Sequence, residues 1–226
     1  GEADLFYENK GASGFAKQPT VGGKFFDEKG APLSEELYDW GLTAMFRDFD
    51  GDGAPDLYVC NDLQSPDRFW INRGDGTFRA VSSLAMRQTS WFSMGVDVAD
   101  LNRDGIDDFF VADMLSRNHL KRQVQENSRL FMPPTFGRFD ERLQTPRNTL
   151  FLGRPGGEWA EAAWFAGLAA TDWTWSPVFI DVDLDGYEDL LLTTGFERDV
   201  QDMDVAMELE AERAQKRLSD RESLLA

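Results

Sequence analysis

Asp48-Phe49-Asp50-Gly51-Asp52-Gly53-Ala54-Pro55-Asp56 decides the fold, because its pattern returns twice. Asp100-Leu101-Asn102-Arg103-Asp104-Gly105-Ile106-Asp107-Asp108 and Asp181-Val182-Asp183-Leu184-Asp185-Gly186-Tyr187-Glu188-Asp189 repeat it. All three read Asp-x-Asp/Asn-x-Asp-Gly-x-x-Asp. Oxygen ligands at positions 1, 3 and 5, a backbone carbonyl at 7 and a carboxylate at 9 suit a hard cation. Ca²⁺ takes roughly 6–8 oxygens in a flexible geometry, and alternating ligands let one loop curl around it. The expected side-chain ligands are Asp48, Asp50, Asp52 and Asp56, then Asp100, Asn102, Asp104 and Asp108, then Asp181, Asp183, Asp185 and Asp189. Ala54, Ile106 and Tyr187 would supply the carbonyls, giving three Ca²⁺ sites. Without a cation, carboxylates this close repel one another. An EF-hand is excluded: its twelfth residue must be a bidentate Glu between helices, and here position 12 is Val59, Val111 or Leu192.

Working outward, each loop lies between two short runs with strand character. Thr43 to Arg47, Met94 to Val98 and Pro177 to Val182 precede the loops; Leu57 to Cys60, Phe109 to Ala112 and Leu190 to Thr193 follow them. β-Branched and aromatic enrichment bounded by Gly and Asp favours strands. A second element alternates with the first. Leu5 to Asn9 with Lys24 to Asp27, Arg68 to Asn72 with Thr77 to Val81, and Asn148 to Leu152 with Glu158 to Glu161 each flank a Gly-rich turn and predict β-hairpins. An inner strand pair plus an outer hairpin makes a four-stranded unit, the content of one propeller blade.

The fold class expected is therefore all-β, with about three blades in a partial propeller, a helical insertion and a C-terminal helix. Closed propellers use roughly 4–8 blades. The chain is thus expected to be a segment of a larger propeller, or to complete itself by associating through its exposed edges. The first loop residues, at 48, 100 and 181, place an insertion at about 114–147. Its first half, Ser116 to Phe131, predicts a helix capped by Ser116; its second half, with Pro133-Pro134, predicts an ordered loop. The blade segment spans 1–198 and a helical tail 199–226, with Met203, Met207, Ala214 and Leu218 on one face.

Composition narrows the function. Lys plus Arg number 23 against 41 Asp plus Glu, a net charge of −18, which excludes a nucleic-acid binder that needs clustered bases. Thirteen of those acids and one base sit in the three loops. One Cys, Cys60, and one His, His119, leave no disulfide framework, zinc cluster or Ser-His-Asp chemistry. No apolar stretch reaches the ~18 residues of a membrane span. The sequence from Gly1 to Leu5 lacks the features of a signal peptide, so it starts at a mature end or within a longer chain.

The loops with their following strands resemble the FG-GAP or VCBS repeats of integrin α-subunit-type β-propellers. Asn61-Asp62, Asn72 to Phe78, Asp113 to Ser116, Arg147 to Leu150, Thr171 to Ser176, and Gly195 to Val200 leading into Asp202 to Asp204 are further similar to the group related to cartilage acidic protein 1, whose longer members carry an ASPIC/UnbV domain. The resemblance implies a calcium-binding propeller module, extracellular, on the cell surface or periplasmic, with a protein or glycan ligand and no enzymatic activity.

Competing readings concern single groups. A polysaccharide-active hydrolase or lyase, or its carbohydrate-binding propeller, would recruit Asp62 and Asp113, each just after a second inner strand. Arg73-Gly74-Asp75 spells an adhesion tripeptide, yet it lies where a hairpin needs its turn. Arg117, His119, Lys121, Arg122 and Arg129 form the one basic group, read as salt-bridge partners of an acidic body. Trp40, Trp91, Trp173 and Trp175 precede inner strands and are expected to pack between blades, and Cys60 to be a small buried residue.

Overall fold

The computed structural model describes residues 2–63, 65–125, 142–196 and 202–225. In chain order the elements are β1 (Glu2–Ala3), β2 (Phe6–Asn9), β3 (Phe15–Gln18), β4 (Phe25–Phe26), β5 (Tyr38–Asp39), β6 (Gly41–Arg47), β7 (Asp56–Asn61), β8 (Arg68–Asn72) and β9 (Phe78–Ala80). Then follow β10 (Gln88–Ser90), β11 (Gly95–Ala99), β12 (Asp108–Ala112), α1 (His119–Val124), β13 (Leu143–Thr145), β14 (Thr149–Arg154), β15 (Glu158–Glu161), β16 (Thr174–Ile180), β17 (Asp189–Thr194) and α2 (Met203–Leu225). The fold is all-β; among the described residues α-helix occurs only in the insertion and the tail, with a single 3-10 turn at Gly11–Ser13.

Two complete blades are present. Blade 1 runs β6, β7, β8, β9 from the innermost strand outward, and blade 2 runs β11, β12, β14, β15, all antiparallel. In each, the acidic loop joins the two inner strands and a hairpin supplies the outer two. The third acidic loop joins β16 to β17, which form a two-stranded sheet of their own. The blades form an arc that does not close.

Alternation of side chains along these strands builds one apolar layer per blade junction. Between blades 1 and 2 lie Phe49, Tyr58, Cys60 and Phe69 facing Phe109, Val111, Phe151 and Trp159. Phe109 stacks on Phe151 with centroids 4.7 Å apart, and Phe69 lies 4.8 Å from Trp159. Between blade 2 and the half-blade, Phe110, Ala112 and Leu150 meet Phe179, Leu190 and Leu192. Cys60 is fully buried in the first layer, and burial raises its thiol pKa well above the ordinary value. Close approach is built in at Gly95, where an added Cβ would sit 2.9 Å from the carbonyl oxygen of Trp175.

Several expectations are corrected. The N-terminal hairpin pairs β2 with β3, whereas Phe25–Phe26 joins blade 1 as a fifth strand parallel to β9. Gly14 accounts for this, because a tight turn at Lys10–Gly14 closes early, with Lys10 N donating to Gly14 O at 2.7 Å. Phe25 is then free to stack on Phe78 at 5.2 Å and meet Trp70 at 5.0 Å. The insertion helix is capped by Asn118, whose side chain accepts from Leu120 N and Lys121 N, while Ser116 Oγ donates to Asp172 at 2.9 Å. The reading of Ser116 to Phe131 as one helix is thus shortened to six residues, and its part beyond Gln125, with Pro133-Pro134, lies outside the described residues. Within the insertion, β13 adds a short parallel pairing with β10. Of the tryptophans, Trp91 is buried and Trp173 half-buried, stacked on Phe196 at 4.2 Å; Trp40 and Trp175 are exposed rather than packed between blades. In the tail, Met203 is half-buried but Met207 is exposed, so the expected stripe is not covered as a unit; the Leu218 side chain lies outside the described residues.

A buried carboxylate, Asp67, pins the connection between blades 1 and 2. Asp67 accepts from Tyr58 Oη at 2.7 Å, Asn61 N at 2.8 Å and Ser93 Oγ at 2.9 Å. Burial pushes its pKa to about 7 despite those donors. Asp67→Ala strands three donors and is expected to cost about 3 kcal/mol. Asp67→Asn, which keeps an acceptor and removes a buried charge, should cost under about 1 kcal/mol. Urea unfolding of the two variants checks the order; equal losses would contradict it.

Candidate metal-binding loops

The three acidic loops share a hydrogen-bond scheme at matching positions. The carboxylate at position 1 accepts the N–H of position 6: Gly53 to Asp48 at 2.9 Å, Gly105 to Asp100 at 2.8 Å and Gly186 to Asp181 at 2.8 Å. Position 3 accepts the N–H of position 5: Asp52 to Asp50 at 3.2 Å, Asp104 to Asn102 at 3.0 Å and Asp185 to Asp183 at 3.2 Å. Position 5 accepts the N–H of position 7, from Ala54, Ile106 and Tyr187, at 2.8, 2.9 and 2.8 Å. Position 9 accepts the N–H of position 2, from Phe49, Leu101 and Val182, at 2.9, 3.0 and 3.1 Å. Each carboxylate thereby turns an oxygen toward the loop's own backbone and holds the curl (Asx-type turns).

The backbone needs left-handed conformation twice per loop. Position 6 is always Gly, with φ of 88°, 84° and 87°. Position 4 is Gly51 in the first loop, but Arg103 (φ 59°) and Leu184 (φ 61°) in the others, where a side chain is strained.

The loops differ in how far they gather carboxylates. Asp48, Asp50 and Asp56 each place an oxygen within 4.8 Å of the others, and so do Asp181, Asp183 and Asp185. Asp52 and Asp189 stay outside those groups. Among the described residues the second loop brings no three carboxylates so close; its position 3 is an amide, and Asn102 Nδ2 donates to Asp104 Oδ2 at 3.0 Å. Burial first, then the neighbouring Asp50 and Asp48 charges, push the Asp56 pKa up to about 6. Asp50 and Asp108 are raised in the same direction, chiefly by burial. These donor sets, all hard oxygen, fit a divalent cation such as Ca²⁺.

The ninth-position carboxylate has a second task. Asp56 Oδ1 accepts from Asn72 N at 2.8 Å, and Asp108 Oδ1 accepts from Gly153 N at 2.8 Å. One carboxylate therefore ties its loop to the outer hairpin of its blade. At Gly153 an added Cβ would lie 2.5 Å from Asp107 O and 2.6 Å from Ile106 Cγ2, so the hairpin is pressed onto loop 2. Two groups set this demand, the backbone carbonyl of Asp107 and, beside it, the Ile106 side chain at position 7, so removing the side chain relieves only part of the crowding. Gly153→Ala should cost about 1–3 kcal/mol, and adding Ile106→Ala should recover part of it, as thermal unfolding of single and double variants will read.

Arginines link neighbouring loops, a feature that loop-by-loop reading missed. Arg47, at the end of β6, reaches Asp107 in loop 2 with Nη2 2.9 Å from Oδ1 and with Nε on Oδ2. Arg103 of loop 2 lies 3.8 Å over the Tyr187 ring of loop 3. The signal for Arg47 was a base next to Asp48 at the mouth of an otherwise acidic loop.

The other sites fall into structural roles. Asp113 is fully buried; its oxygens accept from Trp91 N (3.1 Å), Phe92 N (3.0 Å) and Met114 N (2.5 Å). It cannot touch a sugar, which removes one half of the Asp62–Asp113 pair. Arg73-Gly74-Asp75 forms the β8–β9 turn, with Gly74 N on Asn72 Oδ1 at 3.0 Å and Thr77 N on Asp75 Oδ1 at 2.9 Å. In the basic group, Arg117 is paired with Asp172 at 2.8 Å and Arg122 Nε donates to Ser116 O; Arg129 lies outside the described residues.

A cation bound at the first loop would compete with a proton for Asp56. With its folded pKa near 6 against about 4 unfolded, the metal-free native state holds a proton the unfolded chain releases, so this group's contribution to stability falls as pH rises through that window. A cation needs the ionised form. The rise in melting temperature on adding Ca²⁺ should therefore grow between pH 5 and pH 7; a pH-independent increment would contradict this.

With the geometry in place, comparison with known proteins adds one match. Residues 48–111, from the first acidic loop through β12, match the family described as FG-GAP-like repeat. No curated protein matches the chain. The matched stretch holds two of the three loops and the junction between blades 1 and 2.

Proposed function

We propose that this chain is a Ca²⁺-stabilised blade module of the FG-GAP type, serving as an extracellular binding or scaffold element without catalysis. The observation that carries this reading is the threefold loop, with carboxylates gathered within 4.8 Å at Asp48/Asp50/Asp56 and at Asp181/Asp183/Asp185. Asp52, Asp189 and the carbonyls of Ala54 and Tyr187 complete the two donor sets, and Asp100, Asn102, Asp104, Ile106 and Asp108 form the third. Bound Ca²⁺ supplies positive charge that offsets the clustered carboxylates. The chain's residues orient the ligands and transmit the order of each loop to two inner strands and, through the ninth residue, to the outer hairpin.

Millimolar free Ca²⁺ outside cells matches the roughly 10⁻⁴–10⁻³ M affinity of extracellular loops, which favours an exported location. No helix among the described residues is long and apolar enough to cross a membrane. The motifs Asp113 to Ser116, Arg147 to Leu150 and Gly195 to Val200 are similar to those of the ASPIC/UnbV-associated group, which supports a reading with blades over 1–198 and a separate helical tail. The ligand of such a module would be a protein or a glycan.

Calorimetric titration of chelator-treated protein should show up to three Ca²⁺ per chain, with Mg²⁺ much weaker. Saturating Ca²⁺ at about ten times Kd should add about 1.4 kcal/mol per site. Asp181→Asn should remove one equivalent and leave the other loops intact. A melting temperature identical in Ca²⁺ and in excess chelator would sink the metal assignment.

A further inference from the structure

Two carboxylates lie fully buried where blade 1 meets blade 2. Asp67, just before β8, and Asp113, just after β12, both hold the connection that leads from β10 into β11. Ser93 Oγ donates to Asp67 Oδ2 at 2.9 Å, and Ser93 N to Asn61 O at 3.2 Å. Trp91 N and Phe92 N donate to Asp113 Oδ2 at 3.1 and 3.0 Å. Residues 91–93 are thus strapped to blade 1 by one acid and to blade 2 by the other.

The donors around the two acids differ in kind. Asp67 Oδ2 faces two hydroxyls, Tyr58 Oη at 2.7 Å and Ser93 Oγ at 2.9 Å, and a hydroxyl can accept a hydrogen bond as well as donate one. A proton on Oδ2 therefore has a partner. Asp113 faces backbone N–H groups, from Trp91, Phe92 and Met114, which donate and cannot accept. A proton there would displace a donor and meet no acceptor among them.

The corresponding positions in the two blades carry amides in the opposite order. The registers of β7 on β8 and of β12 on β14 set Asp67 level with Asn148, and the strands β7 and β12 set Asn61 level with Asp113. Asn61 N donates to Asp67 Oδ1 at 2.8 Å, as Asp113 N donates to Asn148 Oδ1 at 2.6 Å. Asn148 then uses Nδ2 to donate to Thr171 Oγ1 at 2.7 Å, a hydroxyl of the connection leading to β16. In blade 1 the atom in that place is Asp67 Oδ2, and it faces the Ser93 hydroxyl of the connection leading to β11. A protonated carboxyl reproduces what the amide does in the next blade.

The charged and titratable neighbours leave this pair under-compensated. Around Asp67 stand Tyr58 and Cys60 of β7 and Arg142, which donates to Val81 O and lowers the Asp67 pKa less than any of the three hydrogen-bond donors does. The charge acting on Asp113 is that of Asp67 itself. Arg68 and Arg147, next to Asp67 and Asn148 in sequence, are paired with Asp39 and Glu161. Burial raises both carboxyls, Asp67 to about 7, and the Asp67 charge raises Asp113 further. Two such groups release their protons in separate steps.

We propose that Asp67 carries a proton in the folded protein while Asp113 stays ionised, and that residues 91–93 form a proton-operated latch between blades 1 and 2. Loss of that proton puts a second buried charge beside the latch, which then opens more readily. Opened, Asp67 meets water and releases its proton near the ordinary value of about 4; closed, it holds the proton to about 7. The opening equilibrium therefore rises by up to about tenfold per pH unit between those values and levels off above them. No ligand of the acidic loops takes part, so the latch is independent of the metal reading.

Carbon-13 NMR of the aspartate carboxyls in the full chain should show Asp67 titrating near pH 7 and Asp113 below it. Ser93→Ala, which removes a donor to the ionised form, should move the Asp67 midpoint up. Amide exchange, corrected for intrinsic rates, should show protection at Trp91, Phe92 and Ser93 falling by up to about tenfold per pH unit from pH 5 to pH 7. Asp67→Asn, which copies the amide of blade 2, should flatten that slope. Asp113 titrating above Asp67, both carboxyls ionised at pH 5, or a slope of protection that is absent or is unchanged in Asp67→Asn would each overturn the proposal. The carboxyl titration needs no substitution, so it decides the assignment whether or not a variant folds.

Discussion

The ninth-position aspartate of each acidic loop is the constraint on which the blades depend. Its two oxygens point at different parts of the fold. One accepts the second N–H of its own loop and so closes the turn between the inner strands. The other, in Asp56 and Asp108, accepts an N–H from the third strand. A carboxylate buried between backbone donors is stabilised by them and destabilised by desolvation, and at Asp56 desolvation wins, raising the pKa to about 6. The group stays ionised comfortably only with positive charge nearby. The architecture of the blade and the proposed cation site thus rest on the same side chain.

Much of this was legible from spacing. Three loops in register, each flanked by apolar runs, fixed the inner strands to within a few residues, because a period-2 pattern between Asp-Gly turns permits little else. The outer hairpins at Arg73–Gly76 and Arg154–Gly157 followed from turn chemistry. What was not legible depends on contacts far apart in sequence. Nothing local separates Phe15–Gln18 from Phe25–Phe26 as partners of β2; the choice is made by the turn at Gly14 and by the aromatic stack of Phe25 on Phe78. The exposure of Trp40 and Trp175 likewise belongs to the ends of the arc, since equivalent repeat positions are buried only where a neighbouring blade stands. Asn118 displaced Ser116 as the helix cap because Ser116 was already engaged by Asp172 across the fold.

For the loops themselves, sequence gave the donor atoms but not their sorting. Positions 1 and 3 converge with position 9 in the first loop and with position 5 in the third, a difference that the shared motif cannot encode. Loop 1 is backed by its outer hairpin, which draws Asp56 inward; loop 3 has no such backing, and Asp189 is exposed. Backing by the hairpin is not enough by itself: Asp108 is tied to Gly153 N in the same way, yet with an amide at position 3 the second loop gathers no three carboxylates among the described residues.

Charge along the arc is balanced by contacts between neighbouring loops. Thirteen acids in three adjoining loops would push the blades apart along one rim if each loop stood alone. Arg47 on Asp107 and Arg103 over Tyr187 place a cationic side chain at each of the two loop junctions. Exposed pairs of this kind contribute little stability individually, about 0–1 kcal/mol. Their effect is positional: they set the spacing of adjacent loops, and with it the lateral fit of Phe49 against Phe109 and of Phe110 and Ala112 against Leu190 and Leu192 beneath. The arc is thus held at its rim by alternating charge and in its body by one apolar layer per junction.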